Sequence, residues 1–204
     1  TESEMYTLVG KDGGRELGLE HLLADIEGEF VRIRDTVILK NSPPLPLDDA
    51  KLRTFMALMQ ARTVRQKSHW QEQFGKLQEM GERMRSRVKA MTPAERARIP
   101  KPMPGTRPSM SMSDVQNFAA NPVPMLFGSA IAQLVPQFLE MRLSILRTDS
   151  SPGFITSDAP CVVFDPETHK RPFPYNAPGL GFKTVQVTMP ISPTHLACLT
   201  HYSV

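Results

Sequence analysis

Apolar side chains at Leu19, Leu22, Leu23, Ile26, Phe30, Ile33 and Val37 recur at intervals of three and four, the spacing that gathers one stripe along a helix. This predicts an amphipathic helix over 16–39. Asn41, Ser42, Pro43, Pro44 and Pro46 follow; consecutive prolines remove amide donors and keep preceding residues out of the α region, so the chain must turn there. Asp48 or Asp49 can cap what comes next. Leu52, Phe55, Met56, Met59, Thr63, Trp70, Phe74, Leu77, Met84 and Val88 continue the helical period over 48–90, which predicts one long helix or two in line, weakest at Gly75 and Gly81.

Thr92, Pro93 and Glu95 spell a capping box with proline at the first helical position, so a short helix begins there. The prolines at 100, 102, 104 and 108 then predict an irregular linker, and Ser113 with Asp114 a cap for a short helix over 114–120. Residues 124–147 carry a helical apolar pattern from Leu126 to Leu146, with Pro136 inside it predicting a kink or break. Beyond Ser150 the period changes. Phe154–Thr156, Cys161–Phe164, Phe182–Met189 and His195–Thr200 are short, β-branched or aromatic runs bounded by proline or glycine, and Val185, Val187 and Met189 alternate as in a half-buried strand. Helices first and strands last predict an α+β fold: long N-terminal amphipathic helices packed on a small C-terminal antiparallel sheet. The expected organisation is one domain over 1–204, with a helical half at 16–90, a Pro- and Met-rich linker or insertion at 91–122, and a kinked helix plus sheet at 123–204.

Composition narrows the class. With 204 residues the chain can bury a real core, and no run approaches the roughly 18 apolar residues of a membrane span. The first thirty residues lack the charged, apolar and small-residue segments of a secretory signal, so an intracellular, cytoplasmic protein is expected. The two cysteines, Cys161 and Cys198, share no metal-ligand spacing and read as reduced core thiols. Net charge is only +3, yet residues 1–50 are net acidic, 51–110 strongly basic and 111–204 near neutral. Such asymmetry fits either an anion-binding face or a match between acidic and basic helices of the same chain.

Three segments together resemble one bacterial family, the domain of unknown function 4238 family. They are LEHLLADIE at 19–27, followed by a helix carrying Phe55 and Gln60-Ala61-Arg62-Thr63; FITSDAP at 154–160; and MPISPTHL at 189–196. Their order and spacing agree over about residues 16–200. The family's usual opening stretch, and its usual continuation past the last strand into a helix, do not occur here, so the chain reads as a segment lacking both ends. The resemblance implies a fold and a bacterial origin; it carries no known reaction.

For chemistry, Thr156, Ser157 and Asp158 stand at the end of an expected strand, where a rigid element can present polar groups to a cleft. Asp158 could ligate a metal or act as a base, or Ser-Asp-x-Pro could simply be turn chemistry. Glu20 and Glu27, seven apart on the first helix, share a face. Glu27 could join Asp158 in an acid/base pair or a Mg²⁺ or Mn²⁺ site, or form a bidentate bridge to Arg62. Arg62 could instead clamp a ligand's phosphate, with Thr156 and Gln60 beside it. Among the five histidines, His195 and His201 are six apart, on one face if a single strand spans them, and are open to ligation or acid/base work. No G-x-S-x-G, P-loop or G-x-G-x-x-G motif occurs, which counts against a serine-hydrolase elbow, a P-loop NTPase and a Rossmann site.

Two function classes follow. One is a hydrolase acting on a phosphate-containing substrate, in its sharpest form a metal-dependent nuclease, with Asp158, Ser157 and Glu27 catalytic and Arg62, Thr156 and Gln60 binding. The other is a noncatalytic module that binds a protein partner, a second copy or nucleic acid through its charged helices and Met-rich linker.

Overall fold

The computed structural model describes residues 8–9, 15–16, 18–99, 111–120, 122–172 and 177–201. The chain divides into two compact units, one of residues 1–64 and 127–204 and a second of 65–126 inserted within it.

In the first unit, strands β1 (Leu8–Val9) and β2 (Arg15–Glu16) form a two-stranded antiparallel pair. Helix α1 (Gly18–Ile33) follows and passes directly into a π-helical turn, Arg34–Ile38. Helix α2 (Pro46–Ala61) starts with proline in its first turn and the acidic pair Asp48 and Asp49 near its positive N-terminal end. Phe30 stacks on Phe55 with ring centroids 4.0 Å apart, joining α1 to α2. Helix α6 (Pro122–Glu140) leads into β3 (Arg142–Arg147), and β4 (Val162–Phe164), β5 (Gln186–Ser192) and β6 (His195–Thr200) complete a four-stranded antiparallel sheet in the order β3-β6-β5-β4. Along β5, Val187, Met189 and Ile191 are buried and alternate with half-buried neighbours, as one core-facing side of a sheet requires. These residues pack with Ile33, Leu52, Met56, Phe138, Met141 and Leu199 in one core cluster.

The fold is therefore α+β, with helices mostly N-terminal and the antiparallel sheet C-terminal. Several elements differ from expectation. The helix predicted over 124–147 stops at Glu140, and Arg142–Arg147 is an edge strand. Its apolar residues serve either period, and pairing with all six residues of β6 decides for the strand. Pro136 is exposed and the helix runs through it without a break. Phe154–Thr156 is not a strand: its ladder is reduced to one bond, from Phe154 N to the Pro193 carbonyl at 2.7 Å. Just before it, Gly153 has φ +78, and a Cβ there would lie 2.2 Å from that same carbonyl oxygen, so only glycine fits.

The second unit holds most of α3 (Val64–Ala90), α4 (Pro93–Ala97) and α5 (Met112–Ala120). Of the one long helix or two predicted over 48–90, the chain forms two, α2 and α3, separated at Arg62 and Thr63, while Gly75 and Gly81, expected as weak points, lie within unbroken helix. The Thr92 box is present in full: the Thr92 hydroxyl accepts from Glu95 N, and the Glu95 carboxylate accepts from Thr92 N. Arg96 closes the preceding helix end by donating to the carbonyls of Val88, Lys89 and Met91. The α5 cap is Ser111 rather than Ser113, through Asp114 N donating to Ser111 Oγ and Ser111 N to Asp114 Oδ2. Phe118 stacks on Phe74 at 5.0 Å, and Met112 covers Gly81. The predicted linker at 100–110 lies outside the described residues.

Candidate functional site

The segments that carry the family resemblance meet in pairs. Arg62, the C-cap residue of α2, donates to Glu27 on α1, and both side chains are part-exposed. The expected pairing is thus an ion pair at the helix–helix seam. FITSDAP and MPISPTHL meet where Gly153 and Phe154 run against Pro193 in the β5–β6 turn. Ser157 Oγ accepts from Ala159 N at 3.2 Å, which is turn chemistry. Thr156 and Asp158 are exposed, and Asp158 makes no hydrogen bond or ion pair among the described residues. Gln60 Oε1 is buried and without a partner among them.

A better-built site lies elsewhere in the first unit. A pocket of about 420 Å³ is lined by residues including Asn41, Asp49, Leu143, Ile145, Arg147 and His195. Its floor follows from local structure. The π-helical turn winds the end of α1 more widely, with Ser42 N reaching the Val37 carbonyl at 3.0 Å. Asn41 then takes φ 55, a left-handed conformation that asparagine tolerates better than most residues. From the sheet, Arg147 and His195 are direct cross-strand partners on β3 and β6. Their side chains converge on one atom: Arg147 Nη1 is 3.3 Å and His195 Nε2 3.2 Å from Asn41 Oδ1.

That oxygen can only accept, so Nε2 carries the imidazole proton. Nδ1 lies 2.9 and 3.1 Å from the hydroxyls of Thr194 and Ser192, which can donate to a neutral ring or accept from a charged one. His195 is only 5% exposed, and partners at both ring nitrogens hold its orientation. Arg147 is half-exposed and also lies 3.4 Å from Asp149. Asp49 Oδ2 accepts from Arg53 Nη2 at 2.5 Å, while Asp49 Oδ1 is buried with no partner among the described residues. Arg53 spends its other terminal nitrogen on the carbonyls of Leu139 and Met141, at 2.6 and 2.8 Å, tying α2 to the end of α6.

A protein-family model described as "Protein of unknown function (DUF4238)" matches residues 1–204, the whole chain. The chain belongs to the DUF4238 family. Comparison with curated proteins and with solved structures returns no match.

Of the site residues expected in this DUF4238 chain, direct contact joins Glu27 to Arg62. Among the described residues no group of three or more His, Cys, Asp or Glu side chains gathers as the ligands of a cation. Mg²⁺ takes six oxygens and is commonly held by one or two carboxylates completed by waters and substrate phosphate, so what is missing among the described residues is a cage of three or more such side chains. His195 and His201 have separate roles, because His201, just beyond β6, meets the Leu180 carbonyl at 2.8 Å. Cys161 sits in the core, and burial pushes its thiol up to about 12, far from a nucleophile's range. Cys198 is also a free, buried thiol.

A second buried cluster lies outside the sequence expectations. Asp165, at the end of β4, accepts from Arg171, from Thr184 Oγ1 at 2.8 Å and from Glu167 N at 3.0 Å. Arg171 lies 3.7 Å above the centroid of the Phe182 ring. The Arg171 guanidinium, helped by the Glu167 and Thr184 donors, holds the Asp165 carboxyl down at about 2. Both Asp165 oxygens and both Arg171 terminal nitrogens are engaged within the cluster, which suits a pin for the loop after β4. Among the described residues no helix is long and apolar enough to cross a membrane.

Proposed function

We propose that the pocket beside His195 binds a phosphate-containing small molecule, and that hydrolysis of such a substrate is the chemistry it serves. The carrying observation is the convergence of two donors, one of them cationic, on the single oxygen of Asn41. Both bonds are long for nitrogen-to-oxygen contacts, whose common distance is about 2.9–3.0 Å. A ligand oxyanion would replace a neutral acceptor with a charged one and so strengthen both. Arg147 supplies the charge, and the two apolar residues on β3, Leu143 and Ile145, lower the local polarity against which that charge acts. As an imidazolium, His195 is placed to donate from Nε2 to a leaving oxygen, and the neutral ring that results can take a proton back from the attacking water. The exposed Asp158 lies outside the residues lining this pocket, and the same experiment tests whether it contributes.

Calorimetry with inorganic phosphate, and turnover of p-nitrophenyl phosphate, test both parts. Phosphate should bind to the wild type, and Arg147→Met should weaken it at least tenfold. His195→Gln should remove turnover while leaving phosphate bound. Absence of phosphate binding to the folded wild type at millimolar concentration would overturn the binding site. If Asp158→Ala or Glu27→Gln abolished turnover and His195→Gln did not, the chemistry would belong to the FITSDAP segment instead.

A further inference from the structure

Helix α3 is 27 residues long, about 40 Å at 1.5 Å per residue. Trp70, Phe74, Leu77, Gly81, Met84 and Val88 follow one another at alternating intervals of four and three, a heptad seam. Helix α5 covers part of it, with Phe118 on Phe74 and Met112 on Gly81. Over the remainder, Leu77, Met80, Met84 and Val88 are 45%, 51%, 58% and 37% exposed, and at helical spacing they form a continuous apolar stripe roughly three turns long.

The charges beside the stripe have one sign. Helical spacing puts Lys76, Arg83 and Arg87 along one edge and Arg85 along the other, with Glu72, Glu79 and Glu82 turned to the back. Lys76 and Arg83 are partnered by Glu72 and Glu79 one turn away, while Arg85 and Arg87 make no ion pair among the described residues. We infer that this face of α3 docks an acidic amphipathic helix of a partner protein, whose apolar stripe covers Leu77, Met80, Met84 and Val88 and whose carboxylates meet the flanking arginines.

Charge complementarity selects that occupant. A second copy docked through the same stripe would set Arg85 and Arg87 against their like. A bilayer surface suits a wider apolar face carrying Trp or Phe, whereas these four residues span only about 80° of the helix and include no aromatic ring. The two exposed methionines suit a protein partner, because an unbranched thioether adapts to varied apolar surfaces. A surface that tracks nucleic-acid phosphates gains from stacking aromatics beside its basic groups; of the two rings on the seam, Phe74 is already stacked on Phe118 and Trp70 lies two turns before Leu77.

The test uses the full chain and a fluorescent 18-residue synthetic helix with leucine at heptad a and d and glutamate at e and g, beside a twin with lysine in place of glutamate. The acidic helix should bind, and the lysine twin at least tenfold more weakly. Raising salt should weaken the acidic complex. Met84→Asp should abolish binding, and the double variant Arg85→Glu, Arg87→Glu should reverse the preference between the twins. All three positions are exposed, so circular dichroism should show unchanged helix content. Equal binding of the twins, or none of either, overturns the inference. So would co-sedimentation with phosphatidylserine vesicles, binding of an oligonucleotide in preference to the acidic helix, or a concentration-dependent dimer lost in Met84→Asp.

Discussion

The two units are built on opposite terms. The first buries fifteen residues in one cluster drawn from α1, the π-helical turn, α2, α6, the strands β5 and β6 and adjoining loops. In the second, Val115 is the one buried apolar residue among those described, and its visible ties are a ring stack, a methionine on a glycine and two helix caps. Burial of apolar area drives cooperative folding, and caps and single contacts contribute about a kilocalorie per mole each. The first unit can therefore hold a cross-strand pair and a left-handed asparagine in fixed geometry, as a pocket requires. The second can keep an apolar stripe uncovered because few of its contacts depend on covering it.

The largest expected effect comes from removing a ring in each unit. Phe138 is fully buried in the cluster, so Phe138→Ala should cost about 3–5 kcal/mol and lower the main unfolding transition. Phe118 is half-buried and stacked on one ring. Phe118→Ala should cost about 1 kcal/mol, read as faster amide exchange in α3 and α5 with β5 and β6 unchanged. If both substitutions shifted a single transition equally, the contrast between the units would be gone.

Acid sharpens the comparison next, because the best-engaged buried carboxylate, Asp165, belongs to the first unit. Its pKa is depressed to about 2 by Arg171 and the neighbouring donors, so the native state binds a proton there less readily than the unfolded chain, whose carboxyl titrates near 3.9. Its stabilising contribution is fully present above about pH 4 and lost as pH falls through about 2. Denaturant midpoints of the first unit should therefore fall between pH 4 and 2. Asp165→Asn should start from lower stability at neutral pH and show a shallower fall over that interval; a variant with the wild-type slope would show that this group does not set the acid response.

Local pattern made some features readable in advance and hid others for a definable reason. The α1 stripe, the alternation on β5 and the Thr92 box each depend on residues a few positions apart, and each is present in the fold. The Glu27–Arg62 pair was readable too, since a glutamate beside the apolar stripe of α1 commonly meets a basic residue of the next helix, and Arg62 stands at its end. The pocket was not. Arg147 and His195 face each other only through the β3–β6 register, and Leu143 and Leu146 satisfied a helical period well enough to hide the strand. Asn41 gave a local signal, since asparagine before Ser-Pro-Pro is suited to a left-handed helix stop, but its side-chain partners are more than a hundred residues away in sequence.

The smallest effect separates the units most cleanly, because it adds stability and removes no contact. Gly28 in α1 and Gly75 in α3 both sit in helix interiors with open space where a Cβ would stand. In each, alanine should gain up to about 1 kcal/mol from reduced backbone freedom in the unfolded chain and better helix propensity. For Gly28→Ala that gain belongs to the unit with the shared core, so it should raise the main denaturant midpoint and slow exchange in β5 and β6 as well as in α1. For Gly75→Ala the gain should stay local, slowing exchange in α3 alone and leaving the main midpoint where it was. A midpoint raised equally by both would mean that α3 unfolds together with the sheet, and that the inserted unit owes its stability to the same cooperative transition.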